Sequence, residues 1–289
     1  MTAATVVNDR RAGVPAWLAA CLSIGANDST ARGIGPGRML LALVMIALGL
    51  RGLVFGDFAG VWQRIPIAQL PAQGFFIYLT ALVELATGIG ILLPRLAKVS
   101  AGTMAVFALL WMVLLKLPAV VYAPSMEAVW LGAGEIAVIL AGAWVVFATL
   151  AKPDGRFLAG RNGIRNARLL FVLALPTIGL SHYFYADITA GFVPAWLPWR
   201  HGWAYLTGAG SVATAIGLLF ALWPRLAATL EAAMLGVITV LVWLPPLFAQ
   251  PHDSGAWSAF LMSSAIAAGA AAVADSYRGI GWTTRGLRP

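Results

Sequence analysis

The chain has 289 residues, of which 61% are hydrophobic and only 10% are charged, and its mean hydropathy is +0.85. Because soluble domains carry roughly 25% charged residues, this composition excludes a soluble globular protein. The single cysteine, Cys21, excludes a disulfide framework, an iron–sulfur cluster and a cysteine-based zinc site, since each needs more than one thiol.

Apolar runs of about 17 to 25 residues predict membrane-spanning helices, because at 1.5 Å per residue they cross a hydrocarbon core of about 30 Å. A β-barrel is excluded, since runs such as Phe171–Leu175 are apolar on every side and do not alternate. The predicted fold class is therefore all-α: a polytopic membrane protein with eight transmembrane helices. The predicted spans are residues 39–55, 74–93, 99–117, 127–150, 168–185, 203–222, 226–247 and 256–275.

The basic residues are distributed unevenly across this predicted topology. Of the 19 lysines and arginines, only Arg64 and Arg200 lie on one side, Arg51 and Lys116 lie within spans, and the other fifteen lie on the opposite side. The positive-inside rule then predicts that both termini are cytoplasmic. The net charge of +8 is thus mainly a topology signal, so we expect a lipid bilayer as partner and no nucleic acid. The arginine-rich stretch 152–168 is interpreted as attracted to anionic headgroups, with a protein or nucleic-acid dock as the alternative.

The first 38 residues are predicted to form a cytoplasmic N-terminal segment. Its one short apolar stretch, Val14–Ile24, is too short to span a membrane and is followed by polar Asn27, Asp28 and Ser29. We interpret this stretch as a surface helix or a loose cytoplasmic tail and not as a cleaved signal peptide.

The chain contains an internal repeat. The fifteen residues from Tyr78 and the fifteen from Tyr205 are identical at eight positions, at an offset of 127 residues. Leu117-Pro118 returns at the same offset as Leu244-Pro245, and Pro-Arg-Leu-Ala occurs at both Pro94 and Pro224. These matches predict two tandem four-helix units. The predicted boundaries are a first unit at 39–150, a basic linker at 151–167, a second unit at 168–275 and a cytoplasmic tail at 276–289.

The repeated segments resemble the DoxX family of bacterial membrane proteins. The resemblance rests on a proline-rich segment, Gly191–Pro198, on the second-helix patterns Glu84–Arg95 and Tyr205–Leu219, and on the Pro-Arg-Leu-Ala motifs, and it covers about residues 40 to 275. It implies a multi-pass protein of the bacterial inner (plasma) membrane. Some members of that family look like subunits of thiosulfate:quinone oxidoreductases, and others are linked to oxidative-stress complexes. Ser211 stands where the first unit has Glu84, so a role that needs this glutamate survives only in the first unit.

Four charged residues fall within the predicted spans of the first unit: Arg51, Glu84, Lys116 and Glu135. A charge at the centre of a bilayer costs about 2.5 to 3.5 kcal/mol on insertion scales, so each of them calls for a partner or a function. We predict that the bundle brings them together in its outer half. They would form a neutral ion-pair network that holds the helices in register, a pocket for a quinone headgroup or a small anion, or a proton path through Glu84 and Glu135. Arg51 and Lys116 could alternatively extend to the outer headgroups.

Weaker site candidates are Asp57, His182 and Asp187, of which His182 is interpreted as an interfacial side chain or as a proton-transfer group beside Asp187. The histidines are not spaced to hold a haem between two helices, and no metal site is expected. We expect no covalently bound cofactor. A quinone is the one cofactor that the resemblance suggests.

Three functions follow from these observations. The chain would be the membrane subunit or anchor of a redox or stress-related complex, which requires a redox protein partner because nothing in the sequence carries electrons. It would alternatively be a structural or assembly protein without a ligand, or a small-molecule transporter that uses its two units as moving halves. The small residues of the last span, Ser263–Ala272, suit helix packing within one chain or between chains, so the sequence leaves the oligomeric state open.

Overall fold

The computed structural model describes residues 15–24, 35–58, 71–151 and 157–285. This part of the chain is helical and contains no strand. Its helices are α1 (Ala16–Leu22), α2 (Pro36–Phe55), α3 (Gln73–Leu92), α4 (Ala97–Tyr122), α5 (Glu127–Leu150), α6 (Gly160–Phe184), α7 (Ala186–Phe192), α8 (Arg200–Leu219), α9 (Pro224–Ala249) and α10 (Ser254–Asp275).

Seven of the described helices are long and apolar enough to cross a membrane, as expected for a polytopic membrane protein: α2, α3, α4, α5, α6, α9 and α10. Each overlaps a predicted span. Helix α8 overlaps the sixth predicted span and has 20 residues, but it is less apolar because it begins with Arg200 and His201 and carries Thr207, Ser211 and Thr214. Seven apolar helices are therefore established, and the eighth crossing remains a prediction.

Whether α8 crosses the membrane determines the side on which the chain ends. If it does, reporter fusions near Pro124 and Pro251 are expected to report the outside, and fusions after Arg161 and Pro289 the cytoplasm. If α8 does not cross, Pro251 and the C-terminus exchange sides. An external C-terminus would therefore contradict the eight-span topology.

Two of the helices continue beyond the proline at which a span was predicted to end. Helix α4 runs to Tyr122 through Pro118, and α9 runs to Ala249 through Pro245 and Pro246. In each helix a wider π turn precedes the proline, at Met112–Lys116 and at Thr239–Trp243. Proline lacks an N–H and clashes with the carbonyl four residues earlier, and the wider turn changes the backbone pairing at that point, so the helix can continue.

The beginnings of the helices also differ from the prediction at one place. Helix α6 begins at Gly160, so residues 160–167 of the predicted linker belong to it. This first turn is stabilised by packing, since Ile164, Arg165 and Asn166 are buried and Asn166 donates to the Phe157 carbonyl at 2.9 Å. The remainder of the predicted linker, residues 152–156, lies outside the described residues.

The long helices pack across the two predicted halves. Helix α5 packs along α4, α6 and α10, and α10 also packs along α2 and α9. Helices α2 and α5, at the two ends of the first half, touch only slightly, as do α6 and α10. At the centre, a Cβ on Gly142 would lie 2.5 Å from the Cα of Gly269, so α5 and α10 approach closely there. The described packing is therefore one continuous core, and an arrangement of two separate bundles is not confirmed.

Two ends of the helix assembly are named here from the chain path. The outer end is where α2 finishes and α3 begins, which the charge distribution predicts to face away from the cytoplasm. The inner end is the opposite one, where α3 finishes and α4 begins.

Arg168 occupies the inner end and is fully buried. Its guanidinium donates to the carbonyls of Leu22 at 2.9 Å and Ile24 at 2.7 Å, and to the Ser276 hydroxyl at 2.9 Å and the Ser276 carbonyl. It also stacks over the Tyr277 ring, 3.6 Å from the ring centroid. The interpretation of Arg168 as a headgroup-binding residue was therefore wrong, because the carbonyls that end α1 and α10 take up its hydrogen bonds. These bonds join the N-terminal helix α1, which packs on α6 and α8, to the chain that follows α10.

Candidate functional site

A small polar cavity lies between α2, α3 and α4. Its polar lining is Arg51, Asp57, Thr80 and Glu84, and the remainder of its lining is Leu48, Gly52, Phe58, Ile77, Ala81 and Trp111. Three of the sequence-predicted site residues, Arg51, Glu84 and the weaker candidate Asp57, therefore meet at one place. The reason lies in the helix pairing, because the last turn of α2 packs against the middle of α3.

Arg51 is buried, with 5% of its surface exposed, so it does not extend to the headgroups as the alternative interpretation allowed. It forms an ion pair with Asp57 and donates to the Asp57 carbonyl at 3.0 Å. A further bond runs to the carbonyl of Ser254, at 3.1 Å, the first residue of α10. Only its Nε is left without a hydrogen bond among the described residues. Arg51 thus has most of its donors already occupied and ties the two halves together.

Glu84 lies in the middle of α3 and is 8% exposed. The nearest cation that acts on its carboxyl is Arg51. Close helix packing surrounds it, since a Cβ on Gly88, one turn further along, would lie 2.7 Å from the Ala42 carbonyl oxygen of α2. The volume open to the centre of a water molecule in this cavity is about 10 Å³, which is the lower limit for one water.

Lys116 and Glu135 are not among the residues that line this cavity. Lys116 is buried at the end of the π turn in α4, and Glu135 is half-buried on α5. The structure thus collects one cation and one carboxyl of the predicted four, together with Asp57, and places Lys116 and Glu135 outside that group.

The outer histidines are paired differently from the prediction. Asp187 contacts His201, with Oδ1 3.0 Å from Nε2, and both side chains are exposed. His182 instead lies with its Nδ1 2.9 Å from the Thr207 hydroxyl and 3.2 Å from the Ala204 carbonyl. The two residues predicted to act together, His182 and Asp187, therefore have separate partners, because α8 packs on one side of α6 and supplies a partner to each.

One buried carboxyl was missed by the sequence analysis. Glu231 lies on α9, 1% exposed, and accepts a hydrogen bond of 2.8 Å from the Ser211 hydroxyl. It falls within the predicted span 226–247 and should have been counted with the other charges inside the membrane. The inference that buried carboxyls belong to the first unit alone was therefore wrong.

Among the described residues, no group of three or more His, Cys, Asp and Glu side chains is arranged to hold a metal ion. The cavity beside Glu84 is also too small for a quinone ring, which is many times larger than one water. As it stands, this site can hold a proton, a water molecule or an ion pair.

Comparison with known proteins adds no assignment, since no family model, no curated protein and no solved structure matches this chain.

Proposed function

We propose that this protein is a DoxX-like integral membrane subunit, an anchor of a redox or stress-related complex, in which Glu84 exchanges a proton for its partner. The location is the bacterial inner membrane, with both termini in the cytoplasm. The single observation that carries the proposal is that the buried Glu84 carboxyl shares a cavity with Arg51, whose donors are already occupied by Asp57 and two carbonyls.

A count of charges supports a proton as the occupant. Arg51 and Asp57 cancel each other, so an ionised Glu84 leaves one net negative charge within the membrane, whereas a protonated Glu84 leaves none. A net charge in the bilayer is expensive, and carboxyls within membranes are commonly proton carriers for that reason. Arg51 is close enough to favour the ionised form when a proton is withdrawn. Glu84 can therefore both hold and release a proton.

The tandem duplication is also part of the proposal. The π turns at Met112–Lys116 and Thr239–Trp243 are separated by 127 residues, the offset of the sequence repeat. Gly142 and Gly269, which approach each other at the centre, are separated by the same offset. Two parallel four-helix units related by an axis along the membrane normal would place these features in equivalent positions.

The other functions have less support. A pocket for a quinone headgroup or small anion would require the cavity to open widely, and Arg51 has little left to offer an anion. A transporter would concentrate its polar groups between the halves, where α5 and α10 instead pack glycine against glycine. A purely structural protein would explain the ion pair of Arg51 and Asp57 but gives Glu84 no task.

Purification of the tagged chain from its native membranes in mild detergent tests the proposal. We expect a redox protein to accompany the chain in constant ratio. We expect Glu84→Gln to keep that partner and lower the redox turnover of the complex by about tenfold or more, since positioned proton transfer commonly contributes at least that much. Ser211→Ala, at the equivalent position of the other half, is the matched control. Recovery of the chain alone, or a Glu84→Gln complex with full turnover, would contradict the proposal.

A further inference from the structure

A second buried polar group lies in the other half of the molecule, between α8 and α9. Its members are Glu231, Ser211 and Thr214, which are 1%, 2% and 6% exposed. Ser211 donates to Oε1 of Glu231 at 2.8 Å, and Thr214 hydrogen bonds to the same carboxyl. The other carboxyl oxygen, Oε2, is buried and has no hydrogen-bond partner among the described residues.

This group corresponds to the first site by position in the sequence repeat. Ser211 stands 127 residues after Glu84, and Glu231 stands 127 residues after Met104 of α4, which is fully buried. The second half therefore keeps a carboxyl between its second and third long helices but supplies it from the third. The depth is also similar, since Glu84 is eight residues from the inner end of α3 and Glu231 seven from that of α9, or roughly 10 to 12 Å at 1.5 Å per residue.

We propose that Glu231 is a second proton-binding site, so that each half of this protein carries one buried carboxyl that takes up and releases a proton. The inference does not depend on the role given to Glu84. A permanent charge is disfavoured because no ion pair of the described residues includes Glu231. A metal ion is disfavoured because the direct bond of 2.8 Å between Ser211 Oγ and Glu231 Oε1 leaves no room for a cation between them.

No other titratable group sets the charge of Glu231 by contact. The elements packed against α9 are α8 and α10, and none of their titratable side chains contacts Glu231. Arg225, on α9 itself, donates to the Ile280 carbonyl and lies over the Trp282 ring. The others on or next to these helices are Arg200, His201 and Tyr205 on α8, and Asp253 and Asp275 at the ends of α10.

Infrared difference spectroscopy of the whole protein in lipid nanodiscs tests the proposal. When the pH is raised from about 5 to about 9, a band from a protonated carboxyl should disappear, and Glu231→Gln should lack that contribution. Glu84→Gln should retain it, which separates this proposal from the proposed function. Ser211→Ala should move the pH of half-change, whereas Thr239→Val, which breaks the Thr239–Ser263 bond two turns along α9, should not.

A second measurement needs no variant. A hydrophobic carbodiimide reacts with protonated carboxyl groups inside membranes, and peptide mapping of the wild-type protein should locate the adduct on Glu231. We expect labelling to fall by about tenfold for each pH unit above the midpoint, as for a single proton. Labelling or an infrared band that does not change with pH would overturn the proposal. Loss of either signal on addition of Na⁺ at constant pH would also overturn it, in favour of a metal-ion site.

Discussion

Replacement of Arg168 by alanine is expected to lower the free energy of unfolding by about 3 kcal/mol or more. The substitution removes the donors to the carbonyls of Leu22, Ile24 and Ser276, and each buried acceptor left unsatisfied costs about 1 to 3 kcal/mol. Arg168→Lys should recover only part of the loss, because one ammonium cannot replace a planar guanidinium at several acceptors. Tryptophan fluorescence during denaturant unfolding in detergent measures the change.

The single cysteine reports the local consequence of this change. Cys21 is buried in α1, and burial raises the pKa of its thiol, so a maleimide should react with it slowly at neutral pH. Arg168→Ala should release α1 and accelerate the reaction. Because the pKa is raised in the folded state, the stabilisation from the buried thiol is present below the ordinary pKa of 9.0 and is lost as the pH rises above it.

Arg161 provides the matched control for Arg168, since it lies on the same helix with an exposed side chain. Arg161→Ala should change neither the unfolding free energy by more than about 0.5 kcal/mol nor the reactivity of Cys21. Equal effects of the two substitutions would show that Arg168 does not hold α1 in place.

Replacement of Arg51 by methionine is expected to cost about 3 kcal/mol, at the lower limit for breaking a buried ion pair because Asp57 is 44% exposed and can be hydrated. The variant also loses the bond to the Ser254 carbonyl, which joins the outer end of α2 to α10. Glu84→Gln should cost less than about 1 kcal/mol, because it leaves the Arg51 bonds in place. Thermal unfolding in detergent compares the two variants with the exposed control Arg95→Met.

The double variant of Arg51 and Glu84 measures their coupling. If the guanidinium stabilises the ionised carboxyl, the double variant should cost less than the sum of the single variants, by about 0.5 kcal/mol or more. Strict additivity of Glu84 with Arg51, and also with Lys116, would show that Glu84 has no basic partner in the first half.

The partners of the buried charges could not be predicted from sequence. Arg51 pairs with Asp57, a local neighbour, but also with Ser254, 203 residues away. Asp187 pairs with His201 and not with His182, because α8 approaches both. Each of these partners depends on which helix faces meet, and an apolar helix with scattered polar residues shows no strong preference for one face.

What the sequence by itself determined is the helical class and the approximate position of each long helix, because the length of an apolar run decides whether it can cross a bilayer and the absence of water there requires intrahelical hydrogen bonds. Only the tertiary structure decided that α4 and α9 continue through their prolines, that Arg168 is enclosed by carbonyls, and that Glu231 is buried against Ser211. These outcomes depend on contacts between helices distant in the chain. In a lipid environment such contacts are selected by close packing and polar pairing, because the tails are as apolar as the side chains, and neither is readable from one segment alone.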